Sequence, residues 1–250
     1  MSAPVFLSPR EVLSEGSRVW LDGPEGRHAA TVRRLRVGEP VELTDGAGLL
    51  VRGDVVSVER DRVEVAVRDR VEVAEADPRV VVVQALPKGD RGERAVELMT
   101  EVGVDEVVPW AAARCVAAWH GERGARALDK WRGAAREAAK QARRPWLPAV
   151  TALADTAAVV DRVQHADLAI VLHESASVAL SDLVVPPTGQ VVLVVGPEGG
   201  LTDDELDRLV GGGAHTVRLG PTVMRTSTAG VVAAAVVLSM TARWTSAARD

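Results

Sequence analysis

The sequence predicts an α/β domain built on a parallel sheet and preceded by a small β-barrel. Three observations predict it. Residues 5–73 are short β-like pieces broken by turn signals. Residues 80–86 and 191–195 are continuous apolar runs, as strands buried on both faces require. Between such runs lie stretches of helical spacing, and alternating β and α units with apolar strands pack as a parallel sheet covered by helices.

In the first region Val41-Glu42-Leu43-Thr44 alternates and Asp45-Gly46-Ala47-Gly48 supplies turn chemistry. Leu49-Leu50-Val51, Val55-Val56-Ser57-Val58 and residues 62–67 repeat the habit, with little helical periodicity, so residues 1–73 are expected to form the barrel. Residues 74–79, acidic and containing Pro78, are the expected linker to a second domain at 80–250. There 80–86 is a strand, Pro87-Lys88-Gly89-Asp90 breaks it, and 91–102 is a helix with Ala95, Leu98, Met99 and Val102 on one side. A short strand at 107–109 precedes a long helix at 125–143. Strands follow at 168–172, 191–195 and 217–219. The helix at 203–210 has Thr202 as N-cap and Glu205 at its third position, a capping box. The last helix spans 226–240, and no internal repeat or low-complexity segment is present.

The 250 residues suffice for one large domain or for a small and a medium one, and an apolar content of 47% excludes global disorder. The single cysteine, Cys115, excludes a disulfide framework and a multi-cysteine metal site. It reads as packing in a reducing compartment. Residues 1–10 lack the basic start and apolar stretch of a signal peptide, and the longest apolar run, 229–238, is too short for a bilayer. A cytoplasmic protein is expected. The net charge of −5 disfavours nucleic acid only as an average, because polyanion binding depends on local patches. No histidine has metal-ligand spacing, so no metal is expected.

Two segments carry chemistry. After the strand at 191–195, Gly196-Pro197-Glu198-Gly199-Gly200 forms a Gly-rich turn leading to a capped helix. Ligands of parallel α/β sheets bind beyond the carboxyl ends of strands, where glycine lets backbone approach them. A tight strand-to-helix connection would use the same residues. The spacing is neither a phosphate loop with Gly-Lys-Ser/Thr nor a dinucleotide fingerprint, which excludes those nucleotide sites. In the second segment, Leu219-Gly220-Pro221-Thr222-Val223-Met224-Arg225-Thr226-Ser227-Thr228-Ala229, a polar cluster opens an apolar helix. The free N–H groups there suit a polar or anionic group, although an ordinary N-cap explains the hydroxyls equally well.

Further stretches complete a pattern. They are His28-Ala29-Ala30-Thr31-Val32-Arg33-Arg34-Leu35-Arg36-Val37-Gly38, Leu86-Pro87-Lys88-Gly89-Asp90-Arg91 and Glu97-Leu98-Met99-Thr100-Glu101-Val102-Gly103-Val104. Pro109 followed by Arg114, Arg136-Glu137-Ala138 with Gln141, and the strand end Leu172-His173-Glu174 belong to it too. With these, the chain resembles the RsmE-type 16S ribosomal RNA uridine-N3 methyltransferases of the SPOUT superfamily along nearly its whole length.

The resemblance implies a SPOUT-type α/β knot, a deep C-terminal trefoil that departs from the rule against threaded chains. It also implies a PUA-like RNA-binding barrel before it. S-adenosyl-L-methionine would be the methyl donor, held by Leu172, His173, Glu174, Gly196, Pro197, Glu198, Gly199, Gly200, Leu219, Gly220, Met224, Thr226, Thr228 and Ala229. The expected reaction is methylation of a uridine N3 in 16S rRNA within the 30S small ribosomal subunit, by a homodimer whose interface the apolar face of 230–238 would suit. Rival readings are another RNA target, transfer RNA or a ribose 2′-hydroxyl, and a non-catalytic ribosomal RNA-binding factor.

For RNA contact, Arg132, Arg136, Lys140 and Arg144 follow at i+4 steps with Arg143 beside them, opposite Trp131, Ala135, Ala138 and Ala142. Such a stripe is a phosphate track or a solvated outer face. Arg33, Arg34 and Arg36 form a second basic patch, and the matching motifs add Lys88, Arg91 and Arg114. Arg225 is the candidate catalytic residue, a cation for the charge that develops on uracil oxygens. Many relatives have Arg-Thr-Glu-Thr-Ala where this chain has Arg225-Thr226-Ser227-Thr228-Ala229, so a glutamate there is not the base. Water or Glu198 would take the proton, and His173 is placed in the pocket without a catalytic role.

Overall fold

A computed structural model describes residues 3–245; the outer ends of the two predicted domains, 1–2 and 246–250, lie outside the described residues. The chain divides into two compact units, Met1–Glu75 with Ala139–Leu147, and Ala76–Ala138 with Pro148–Asp250.

The first unit is a five-stranded sheet in the order β1-β3-β4-β5-β2. Its strands are β1 (Val5–Leu7), β2 (Arg18–Leu21), β3 (Pro40–Thr44), β4 (Leu49–Val58) and β5 (Val63–Glu72), with short helices α1 (Arg10–Leu13) and α2 (Gly23–Arg27). All pairings are antiparallel except β1 with β3. Alternate residues face inward, so Phe6, Val19, Leu21, Leu43, Val51 and Val63 join Leu13 in one core. The expected turn forms at Asp45, whose Oδ1 accepts the N–H groups of Ala47 (2.7 Å) and Leu49 (3.0 Å).

Two pieces that read as separate strands, 49–51 and 55–58, are one strand, because register shifts at Arg52/Gly53 and Val55/Ser57 absorb the break. Such bulges bend the sheet, which is a curled, open half-barrel and not a closed barrel. A single-turn π-helix, His28–Val32, follows α2. Residues 139–147 return to this unit: Gly48 donates to the Pro145 carbonyl (3.1 Å) and Trp146 Nε1 to that of Val73 (2.8 Å).

The second unit is a six-stranded parallel sheet, β11-β9-β10-β6-β7-β8. The strands are β6 (Arg79–Ala85), β7 (Glu106–Trp110), β8 (Ala149–Val150), β9 (Leu168–Leu172), β10 (Gln190–Val195) and β11 (His215–Val217). The helices are α3 (Arg91–Val102), α4 (Gly121–Gln141), α5 (Thr156–Gln164), α6 (Asp203–Gly211), α7 (Thr226–Ser239) and α8 (Ala242–Thr245). Val80 and Val82 pack with residues of α3, α4 and α7, whereas Val81 and Val83 pack with α5 and α6. Covering on both faces is why β6 and β10 read as unbroken apolar runs. Helix α7 seats closely on the sheet: a Cβ added at Gly230 would lie 2.9 Å from Met99 Sδ and 3.4 Å from a Val82 methyl.

Three expectations differ. Strand β11 ends at Val217, two residues before the expected end, so Arg218 and Leu219 lie in the loop beyond it. Helix α5 is absent from the sequence reading, its apolar positions being only Val159 and Val163 on the buried side. Helix α4 ends at Gln141, so Arg143, with φ +54°, and Arg144 lie past it and do not extend a helical stripe. Ala142 is exposed there instead of lying on the apolar face.

Candidate active site

A cavity of about 600 Å³ opens at the carboxyl ends of β9, β10 and β11, in the second unit. Its walls are Leu172–Glu174, Val195–Leu201, Arg218–Thr226, Ala229 and Arg114. All the residues expected in the donor pocket therefore line it except Thr228. The exception follows from helix geometry. Thr226 and Ala229, three apart, share a face, whereas Thr228 is two steps of about 100° from Thr226 and is exposed. Val195, Leu201, Arg218, Pro221, Thr222 and Val223 also line the cavity, beyond those the sequence points to. For Arg218 the signal was the end of β11, misplaced because Val217 and Leu219 alternate like strand residues.

The Gly-rich turn is held from three sides. Arg114 Nη1 donates to the carbonyls of Gly199 (3.2 Å) and Leu201 (3.0 Å). Glu198 Oε1 accepts the N–H of Lys88 (3.2 Å) and lies 3.8 Å from Arg91 Nη1. The expected capping box at α6 is present, with Thr202 Oγ1 accepting from Glu205 N (3.2 Å) and Glu205 Oε2 from Thr202 N (3.0 Å). Glu205 also accepts from Ala113 N (2.8 Å). Burial pushes this carboxyl up, but the hydrogen bonds from Thr202, Ala113 and Thr156 outweigh it and hold the group below its ordinary value.

On the opposite wall, Arg218 Nη1 donates to the carbonyls of Ala176 (3.1 Å) and Ser177, fixing the loop after β9. His173 Nδ1 accepts the Ser175 N–H (3.3 Å). Beneath the start of α7 the wholly buried Gln84 donates through Nε2 to the Thr226 carbonyl (3.3 Å). Arg225 precedes the helix with extended backbone (φ −67°, ψ 148°) and is exposed. Among the described residues no side chain pairs with its guanidinium. Cys115 is half-buried, its thiol pushed up chiefly by desolvation, as suits a packing residue. Among the described residues no cluster of potential metal ligands occurs and no helix is long and apolar enough to cross a membrane.

The cavity, the sheet and the turn lie inside one match to a family model, the RNA methyltransferase domain, which covers residues 75–238. The chain belongs to this RNA methyltransferase family.

The other comparisons agree with the RNA methyltransferase assignment. Residues 21–68 match the RNA methyltransferase PUA domain, so the curled N-terminal sheet is PUA-like. The Ribosomal RNA small subunit methyltransferase E of Mycobacterium tuberculosis is 46% identical over 239 residues, 94% of this chain and 91% of its own. Its namesake from Bacillus subtilis is 29% identical, over 88% of this chain and 89% of its own. Among solved structures, a methyltransferase of Legionella pneumophila in complex with bound SAM aligns with a TM-score of 0.85 at 28% identity, covering 96% of this chain and 99% of that one. Ribosomal RNA small subunit methyltransferase E of Neisseria gonorrhoeae, bound to S-adenosyl methionine, gives 0.82 at 28% identity, covering 96% and 98%.

The cations expected to meet RNA have diverse settings in this methyltransferase. Arg33, Arg34 and Arg36 are exposed on the turn after the π-helix. Lys88 and Arg91 are exposed beside Glu198, and Arg136 is exposed on α4. Arg132 donates through Nε to the Val150 carbonyl (3.2 Å). Lys140 is a correction: its side chain is only 10% exposed and its Nζ lies 2.8 Å from Glu25 Oε1, inside the N-terminal unit. Arg143 and Arg144 are half-buried beyond the helix end. Of the five cations expected to form a stripe, Arg132 and Arg136 are the two exposed on α4.

Proposed function

We propose that the cavity holds S-adenosylmethionine and that the chain methylates N3 of a uridine in the ribosomal RNA of the small subunit. The observation that carries this reading is the cavity at three parallel strand ends, with Arg225 on its wall and no partner for that guanidinium among the described residues. The name of the 46%-identical relative and the donor in two structural neighbours support it.

The residues present fit the donor. The volume falls in the range of small-molecule sites. Leu172, Val195, Leu201, Leu219, Met224 and Ala229 offer apolar surface for an adenine ring. Backbone groups of 196–200 and 219–220 offer hydrogen bonds to its edges, and the uncapped first turn of α7 has N–H groups for a carboxylate. When bound, S-adenosylmethionine supplies an activated methyl group on a sulfonium, and no metal is needed.

The uracil N3–H must be lost before N3 is a good nucleophile. Its pKa lies roughly two units above neutrality, so the anion costs about 2.7 kcal/mol to form. Arg225 offsets that cost by holding a positive charge near O2 or O4. His173, bonded through Nδ1 to the Ser175 N–H, helps hold its wall of the pocket in place. Glu198 is occupied as an acceptor by Lys88 and neighbours Arg91, so water is the better proton acceptor. Ser227, the residue between the two threonines of the segment, supplies no base.

RNA is held by Arg33, Arg34 and Arg36 of the PUA-like unit and by Arg136 with Arg132 on α4. The protein acts as a homodimer in the cytoplasm, with the half-buried Val231, Val232, Ala235 and Val236 of α7 at the interface. Methyl transfer from labelled S-adenosylmethionine to isolated small subunits lacking native modification tests this reading. Label is expected in small-subunit RNA, with less in the same RNA stripped of protein. Label in transfer RNA alone would overturn the target, and none anywhere, despite donor binding, would overturn catalysis.

A further inference from the structure

We infer that Arg114 is a positioning residue for the methyl donor, setting the shape of the Gly-rich turn, and not a member of the RNA-contacting surface. The inference rests on the reading that the cavity holds S-adenosylmethionine. The turn has little internal support: Gly200, with φ +72°, donates to the Pro197 carbonyl (2.9 Å). Its remaining order comes from outside. Arg114 reaches two carbonyls of the turn, at Gly199 and Leu201, through the same nitrogen.

The stem and carbonyl of Arg114 also lie close to the turn. A Cβ added at Gly199 would lie 3.1 Å from Arg114 Cβ and 3.3 Å from its carbonyl oxygen. A side chain at 199 would therefore crowd Arg114. The preceding residue closes a ring, since Ala113 N donates to Glu205 (2.8 Å), whose other oxygen accepts from Thr202 (3.0 Å) just after the turn. Turn, arginine loop and capping box thus form one hydrogen-bonded circuit along the cavity wall. Arg114 Nη1 thus has both of its N–H groups directed at carbonyls of the turn, and the charge of the guanidinium is held at the pocket wall.

The test separates two affinities in the full-length chain. Calorimetry gives the affinity for S-adenosylmethionine, and binding to unmodified small subunits across a salt series gives the number of phosphate contacts. Arg114→Ala is expected to weaken donor binding by about tenfold or more, the size of a lost charge-assisted hydrogen bond. It raises the KM for donor while kcat at saturating donor changes little. Arg114→Lys, which keeps the charge on a shorter side chain without the planar guanidinium, recovers part of the donor affinity. The salt slope stays as in the wild type for both variants. A slope reduced by about one for Arg114→Ala, as a phosphate contact demands, would overturn the inference. Unaltered donor affinity would overturn it too. Failure of the wild-type chain to bind S-adenosylmethionine would instead sink the functional reading, and this inference with it.

Discussion

Oε1 of Glu205 lies 2.8 Å from the backbone nitrogen of Ala113, tying α6 to the loop that follows β7. Glu205 is 3% exposed and its carboxylate also receives Thr202 and Thr156, so it is a buried charge satisfied by donors and not by a cation. Removing it strands those donors. Glu205→Ala is expected to cost about 2 kcal/mol in urea unfolding. Because the folded state holds this group below its ordinary value, its stabilisation is complete above the ordinary carboxylate range. It is lost as the pH falls through the depressed value. Glu205→Gln should therefore flatten the acid limb of the stability profile. An acid limb identical to that of the wild type would count against this role.

Lys140 and Arg136 sit one helical turn apart yet should behave oppositely. Lys140 pairs with Glu25, which also accepts the Leu7 N–H at 3.3 Å, so Lys140→Ala is expected to lower stability by about 1–2 kcal/mol. Its salt slope for RNA binding should not change. Arg136→Ala should leave stability within about 0.5 kcal/mol and reduce that slope by about one. Chemical denaturation and a salt titration of subunit binding, applied to both variants, decide it. Reversal of the two results would put Lys140, and not Arg136, in contact with RNA.

Arg225→Ala should lower kcat by about a hundredfold, the usual size of one lost electrostatic contact to a developing oxyanion, with donor affinity nearly unchanged. Because the guanidinium has no partner among the described residues, folding should not suffer. Single-turnover rates together with donor calorimetry separate chemistry from binding. Near-normal turnover with intact donor and RNA binding would remove Arg225 from the mechanism.

What the sequence reveals and what it hides divides along physical lines. Local rules found the Thr202–Glu205 capping box and the doubly buried strands β6 and β10, because each depends on residues within a few positions. The two motif segments also located the pocket, since both follow strand ends in the same sheet. Non-local contacts were out of reach. Helical spacing placed Lys140 on the cation stripe but could not show that Glu25, 115 residues away, would claim it. Gly199 reads as an opening for a ligand, yet its close neighbour is Arg114, through Cβ and the carbonyl oxygen. Alternation in Val217-Arg218-Leu219 carried β11 too far, hiding Arg218 as a brace for the loop at 176–177. Gly53 lies between the two pieces read as separate strands, and a register shift beside it carries β4 through.

If Arg225 and the cavity beside it serve methyl transfer to uridine N3, the product carries the proof. The decisive measurement is nucleoside mass spectrometry of small-subunit RNA after reaction with S-adenosylmethionine. The predicted new nucleoside is 3-methyluridine, formed by the wild-type chain and reduced with Arg225→Ala. A 2′-O-methylated nucleoside, or a methyl group on a base other than uracil, would contradict this mechanism.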